Sequence, residues 1–306
     1  MNNEELKDSF RNRDRSYRIL SVDGNVRVAF VRNTNTINTA QKKHNLSYIP
    51  ALYLSKTLTA AALVSTFLKG EERVVIDVKG DGLLSHIYAE VMHIGECRGY
   101  VSYDDEKGFS EIDIDKFSGI LGNGTFSVSR ILYNNTEPII GVVPLQKGNI
   151  DSEINFYFRQ SEQILSHIIL DQVFSKQSNM TYSTVMLIQA MPGADENDVA
   201  NKIATINENL SGRMSIEALK FSSVEEFLKE YLPFEFQVLG TKSIDFFCRC
   251  NIENFKTKLM QFNVDELKEM RDSNQNELVC SFCGEKYHLT DTDFEQLISR
   301  NIVRNN

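Results

Sequence analysis

The sequence predicts an α+β protein in three parts: a mixed sheet-and-helix domain over residues 1–194, a helical linker over 195–247 and a small cysteine-bearing domain over 248–306. Three observations carry that prediction. Short apolar runs bounded by turn residues recur between residues 17 and 191 around one long apolar stretch, a grouping of strands with a packed helix rather than a βαβ alternation. The composition shifts at Asp195 into short helical periods. Four of the five cysteines form two close pairs, Cys248-x-Cys250 and Cys280-x-x-Cys283, with twenty-nine residues between them.

Residues 17–31 alternate around Asp23-Gly24, with Ile19, Val22, Val26, Val28 and Phe30 apolar, which predicts a hairpin. From Ile49 to Lys69 the chain is apolar on most faces, with Pro50 near the start and Gly70 just past the end. That pattern predicts a buried central helix. Strands are expected over Val74–Lys79, His86–His93, Tyr100–Tyr103, Thr125–Leu132 and Ile139–Gln146. Residues 151–163 read as helix. Ile164–Phe174 and Thr184–Met191 read as strands about a polar turn at Gln177-Ser178-Asn179. Gly80-Asp81-Gly82 and Gly122-x-Gly124 are expected to be turns, because no phosphate-loop pattern follows either.

The linker carries apolar residues at helical spacing: Val199, Ile203 and Ile206, then Met214–Leu219, then Val224–Leu232. Ser223 with Glu226 predicts a capping box at the last of these. Phe227, Leu228, Leu232, Phe234 and Phe236 give the segment a large apolar payload without a core of its own, so its faces must lie on something else.

In the C-terminal part, Asn251–Met260 and Val264–Met270 read as helices, the second capped by Asn263 and Glu266. Glu277–Val279 leads into Cys280, Lys286–Leu289 leads out, and Thr290 with Asp293 caps a final helix bearing Phe294, Leu297 and Ile298. A Cys-x-x-Cys turn places two sulfurs on one side of a tight knuckle. Cys-x-Cys puts two more on one side of an extended chain. Two such soft pairs predict one tetrahedral Zn²⁺ held by Cys248, Cys250, Cys280 and Cys283. His288 is expected on a strand face rather than in the ligand set, and Cys97 is expected to be buried and inert. A segment this short is marginal as an independent core, and structural zinc supplies on the order of 10–16 kcal/mol, so its fold should rest on the metal. Thiolates on zinc are either static ligands or, where an oxidant reaches them, nucleophiles. A Cys248–Cys250 bridge is sterically allowed but strained, hence easily reduced. The residues alone leave anchor and switch both open.

Composition narrows the class. The net charge of −9 disfavours sequence-independent nucleic-acid binding, and acidic residues, among them Glu253, Asp265, Glu266, Glu277 and Glu285, surround the cysteines. The longest uncharged part of the central apolar stretch, Thr57–Leu68, is too short to span a bilayer. The charged N-terminus shows no signal-peptide core, and paired cysteines suit a reducing compartment. A cytoplasmic protein with no membrane partner is therefore expected. The five histidines are scattered and no local catalytic motif accompanies them, so no enzyme activity is expected. A zinc-ribbon-like binding protein with a static zinc is the alternative reading, and a thiol–disulfide oxidoreductase lacks its βαβ setting.

Several stretches resemble the heat-shock protein 33 family of redox-regulated chaperones. They are Lys79-Gly80-Asp81-Gly82, Gly99-Tyr100-Val101, Gly122-Asn123-Gly124-Thr125, Gly141-Val142-Val143-Pro144-Leu145, Tyr157-Phe158, Gln160-Ser161-Glu162-Gln163, Leu187-Ile188-Gln189 and Pro192-Gly193-Ala194, completed by the two cysteine pairs. Two departures, Leu83-Leu84-Ser85 and Thr184-Val185-Met186, stand where the family usually has proline and glycines or a glycine pair, and they put local core packing in question. The resemblance implies that the C-terminal part is a zinc-binding redox-switch domain, inactive when reduced and zinc-bound. It implies that oxidation pairs Cys248 with Cys250 and Cys280 with Cys283, releases the one zinc per chain, and unfolds this domain and the linker. The freed apolar surface, with Phe227, Leu228, Leu232, Phe234 and Phe236 as candidate contacts, would then hold unfolding client proteins without ATP, in a form that is typically a homodimer.

Overall fold

Strands β1 (Arg15–Ser21) and β2 (Val26–Arg32) form the expected antiparallel hairpin, with Gly24 at positive φ in its turn. The computed structural model describes residues 13–104, 118–133, 135, 137–146, 148–175 and 180–304. The anticipated turn at 177–179 lies outside the described residues. After the hairpin comes a helix that periodicity did not announce, α1 (Thr34–His44); only Thr36, Ile37 and Ala40 of it are buried. The central helix α2 (Tyr48–Ser65) is apolar on all sides because it is covered on all sides, with 16 of its 18 residues buried.

Two sheets enclose α2. One has the order β10-β1-β2-β9-β8, where β8 is Ser166–Phe174, β9 is Met180–Ala190 and β10 is Phe236–Ser243; all its pairings are antiparallel. The other has the order β11-β5-β4-β3-β6-β7. Its strands are β3 (Arg73–Gly80), β4 (Leu84–Met92), β5 (Glu96–Tyr103), β6 (Gly124–Ile131), β7 (Ile139–Pro144) and β11 (Asp245–Phe246), with only β11 running parallel to its neighbour. The short helix α3 (Ser118–Leu121) and the helix α4 (Ile150–Tyr157), which runs into a π-turn at Phe158–Glu162, pack on the same core. The Gln160-Ser161-Glu162-Gln163 stretch is that turn. Glu162 accepts from Arg130 at 2.8 Å and from the Tyr157 hydroxyl at 3.3 Å, a structural role at a helix end.

The central strands β2 and β9 of the first sheet are buried on both faces, their alternate side chains entering different cores. Ala29 and Val31 of β2 join the inner core around α2, while Val28 and Phe30 join a second core on the outer face. That second core is closed by three helices of the following segment: α5 (Glu196–Leu210), α6 (Met214–Ala218) and α7 (Val224–Tyr231). Ser223 caps α7 by accepting from Glu226 N–H at 3.1 Å. The Glu226 carboxylate takes the N–H of Ser222 instead of completing the expected box at Ser223. The two departures named above are both filled rather than left as gaps: Leu84 is buried in the inner core, and Thr184, Val185 and Met186 are fully buried.

The stretch 236–246, read from sequence as part of a helical linker, is strand. β10 adds to the edge of the first sheet. The chain then crosses at Ile244, buried and held by Asp14 and Thr36, and places β11 on the second sheet. Alternation in Phe236–Ser243 is weak because several of its residues, Val238 and Leu239 among them, face solvent. The chain divides into two units, residues 1–246 and 247–306.

The second unit is small. Helices α8 (Ile252–Leu259), α9 (Val264–Asp272) and α10 (Asp291–Arg304) surround a two-stranded hairpin of β12 (Glu277–Val279) and β13 (Lys286–His288). Asn263 and Glu266 complete a reciprocal capping box on α9, as expected. Thr290 and Asp293 do the same on α10. Lys256 bridges to Asp293 at 2.7 Å and ties α8 to α10.

Candidate metal centre

The β12–β13 hairpin ends in the Cys280–Cys283 knuckle. The Cys280 carbonyl accepts from the N–H groups of Cys283 and Gly284, and Gly284 sits at positive φ, where a side chain would strain the turn. Cys248 and Cys250 lie on the extended chain leading to Asn251, the residue that caps α8 by accepting from Asn254 N–H at 2.8 Å. The fold brings all four sulfurs to one place. They lie within 4.8 Å of one another, with Cys248–Cys280 at 3.8 Å and Cys250–Cys283 at 3.4 Å. A regular tetrahedron built on the ~2.3 Å bonds of zinc thiolates has sulfurs about 3.8 Å apart. The donor set and its spacing therefore fit one tetrahedral metal ion. Among the described residues this is the one cluster of three or more His, Cys, Asp or Glu groups able to hold a metal.

The four positions differ. Cys280 and Cys283 are buried; Cys248 and Cys250 are partly open. Burial raises the Cys280 thiol above the ordinary range, against an opposing Phe282 backbone N–H. Burial raises Cys283 as well, against the Glu285 N–H. At Cys250 burial works in the same direction, but hydrogen bonds from Tyr287 and the other three thiols outweigh it and the thiol is held low. Cys250 is one of the two sulfurs that reagents can approach.

His288 points away from the sulfurs, toward Glu277 at 3.8 Å on a strand face, as expected. Cys97 is buried in the inner core and its thiol is pushed far up by burial. Of the candidate client contacts, Phe227, Leu228 and Leu232 are buried in the outer core, and Phe234 and Phe236 are half-buried against it. The Phe227 ring packs at a tilt on Phe30 of β2, with centroids 5.6 Å apart, and on Tyr231 at 5.1 Å. Sequence reasoning passed over Tyr287. Its ring lies on Phe255 and its hydroxyl stands 3.3 Å from Cys250 Sγ. The available signal was its place in β13 between Lys286 and His288, which strand alternation sends to the opposite face.

A family model described as Hsp33 protein matches residues 14–290, a span that includes all four clustered cysteines. The chain belongs to the Hsp33 family. Among similar proteins named 33 kDa chaperonin, one from Bacillus subtilis is 30% identical over 91% of this chain and 96% of its own length. Another, from Streptococcus thermophilus, is 29% identical over 94% and 99%. A crystal structure of the 33 kDa chaperonin (heat shock protein 33 homolog) from Thermotoga maritima superposes with a TM-score of 0.81 at 25% identity, covering 95% of this chain and all of that one. This Hsp33 chain is accordingly a chaperone with an α+β fold and a C-terminal cysteine cluster that suits a zinc-binding domain. No helix among its described residues is long and apolar enough to cross a membrane.

Proposed function

We propose that this protein is a cytoplasmic, ATP-independent holdase whose four-thiolate zinc centre keeps it inactive and whose oxidation releases it. One observation carries the reading: the residues suited to hold an unfolding client are already employed as half of a core. Phe227, Leu228 and Leu232 cover the outer face of the first sheet, and the same segment continues through edge strand β10 and short β11 directly into Cys248.

Cys248, Cys250, Cys280 and Cys283 would hold the zinc, which when bound keeps all four sulfurs as thiolates and folds the second unit around them. A thiolate attacks the oxidant and a second thiolate displaces the resulting group from sulfur. Each bridge thereby loses two electrons to one peroxide, reduced to two waters, or to one hypochlorous acid, reduced to chloride and water. Cys248–Cys250 and Cys280–Cys283 are the proposed bridges; with the four sulfurs mutually in reach, short travel of either pair suffices. Loss of four ligands removes the metal's contribution to folding, on the order of 10 kcal/mol, and the second unit unfolds. β10 pairs at a sheet edge with β1 alone, so disorder spreading N-terminally meets an edge element before reaching α7. Undocked, the α5–α7 faces and the sheet beneath them present apolar surface to unfolding clients, in a form proposed to be a homodimer.

The test is to oxidise the zinc-loaded protein with hypochlorous acid, or with peroxide and mild heat, while following zinc release and suppression of client aggregation without nucleotide. About one zinc per chain should leave in step with the rise in holding. Full holding by the reduced, zinc-bound protein would return the cysteines to a static anchor.

A further inference from the structure

Tyr287 occupies the middle of β13, opposite Leu278 of β12. Its neighbours Lys286 and His288 face outward to Glu277, so its own side chain turns to the metal-site face. The ring rests on Phe255 of α8, with centroids 5.3 Å apart. From there the hydroxyl donates to the Cys250 carbonyl at 3.1 Å and lies 3.3 Å from Cys250 Sγ. One hydroxyl from the knuckle hairpin thus touches both the sulfur and the backbone of a single ligand in the other cysteine pair. Cys250 is also one of the two partly open sulfurs.

We infer that Tyr287 is a positioning residue that restrains the reaction of Cys250 with oxidant and thereby sets the dose at which the site opens. The inference rests on the zinc-thiolate reading of the four cysteines. A thiolate has no proton to give, so the phenol's one proton, directed at the Cys250 carbonyl, is shared with the sulfur in a bifurcated bond. That bond draws density from the lone pair that must attack. In the step concerned, Cys250 sulfur attacks a peroxide oxygen, the O–O bond breaks, and hydroxide leaves to be protonated to water. A second thiolate then forms the S–S bond, and the sulfenic oxygen leaves as hydroxide. Weakening the nucleophile slows the first of these events. The bond to the Cys250 carbonyl keeps the hydroxyl in place through it.

The test compares the full-length, metal-loaded protein with Tyr287→Phe, which keeps the ring on Phe255 and removes only the hydroxyl. Peroxide-driven zinc release, read with a chromogenic chelator, should quicken by on the order of tenfold, with a comparable loss of affinity. Alkylation and mass spectrometry at partial oxidation should find Cys250 modified earlier. With cobalt(II) in place of zinc, the thiolate-to-metal charge-transfer band should move to lower energy, which a change in packing alone would not produce. Unchanged release and an unmoved band overturn the inference while leaving the zinc reading intact. Reduced metal content with an unmoved band at the sites that remain filled shows a structural residue only, and also overturns it. If neither protein gives a thiolate charge-transfer band, the zinc reading fails and the inference with it.

Discussion

The two units of this chain are stabilised by different means. Residues 1–246 enclose α2 between two sheets and bury a second core under α5–α7. Among the described residues of 247–306, the buried apolar cluster is Leu259, Leu267, Leu289, Phe294 and Leu297. At ~1.5–3 kcal/mol per fully buried large side chain, that small cluster falls well short of the cost of ordering its backbone. Helix caps, the Lys256–Asp293 bridge and partly buried Ile252, Met260, Met270, Leu278 and Ile298 add to it, and the four converging thiols offer a metal site. On the proposed reading, the contrast sets a fold held by two large apolar cores beside one that depends on the four thiols oxidant would attack.

The largest test of that contrast is metal removal. A strong chelator under reducing conditions should abolish hydrogen-exchange protection in 247–306 while β3, β4 and α2 remain protected. The loss corresponds to on the order of 10 kcal/mol. Protection that persists in 247–306 without metal would mean the small core suffices. Next in size is the outer core. Phe227→Ala removes the ring packed on Phe30 and should cost about 3–5 kcal/mol. Exchange should rise across 196–232, and holding should appear at lower oxidant, with zinc content unchanged. A variant whose holding still needs the full oxidant dose would separate the candidate contacts from the switch. Smaller is the polar attachment of α6, where Asp171 accepts from Ser215 N–H at 2.6 Å and the Ser215 hydroxyl donates to the Asp171 carbonyl at 2.8 Å. Asp171→Ala should cost about 1–3 kcal/mol, read as earlier thermal undocking of the helices.

The two units were also unequally legible in the sequence. Nearly every element of the cysteine unit could be read, because caps, a knuckle and a helix stripe are local signals. The sandwich strands were read from their apolar runs, although their two-sided burial makes Val28–Val31 and Val185–Ile188 continuous rather than alternating. α1 was not seen because its buried face is three small or medium residues among polar ones. β10 was not seen because an edge strand with exposed Val238 and Leu239 has no core-facing rhythm. The ligand set was readable from spacing. Tyr287 was not, because its role depends on which strand face meets the Cys248–Cys250 segment, a tertiary fact.

The smallest predicted effect lies wholly in the large unit and comes from half-buried Lys242 and buried Cys97, which pull in opposite directions. Lys242 of β10 reaches the carbonyl at the end of α2, donating to Ser65 O at 3.3 Å. Burial, with Arg18 adding repulsion, brings it down to about 8. Unfolded, it keeps its proton to about 10.4, so between those values the unfolded chain holds more protons and stability rises with pH. Cys97 acts the other way. Burial holds its proton on in the folded state, while an unfolded thiol releases it near 8.5, so stability is lost as pH climbs past that point. Below about pH 9 the tyrosines, whose unfolded values lie near 10, contribute least; above it those raised by burial, Tyr53 and Tyr88 among them, also lower stability as pH climbs. The unfolding free energy read from exchange of β3 and α2 amides, after division by the intrinsic rate, should therefore be nearly flat from about pH 8 to 9 in the native chain. The unfolding free energy should fall with pH in Lys242→Met and rise with pH in Cys97→Ala. A native slope retained in Lys242→Met would place that ammonium in water, and β10 with it would be a looser edge than its pairing to β1 implies.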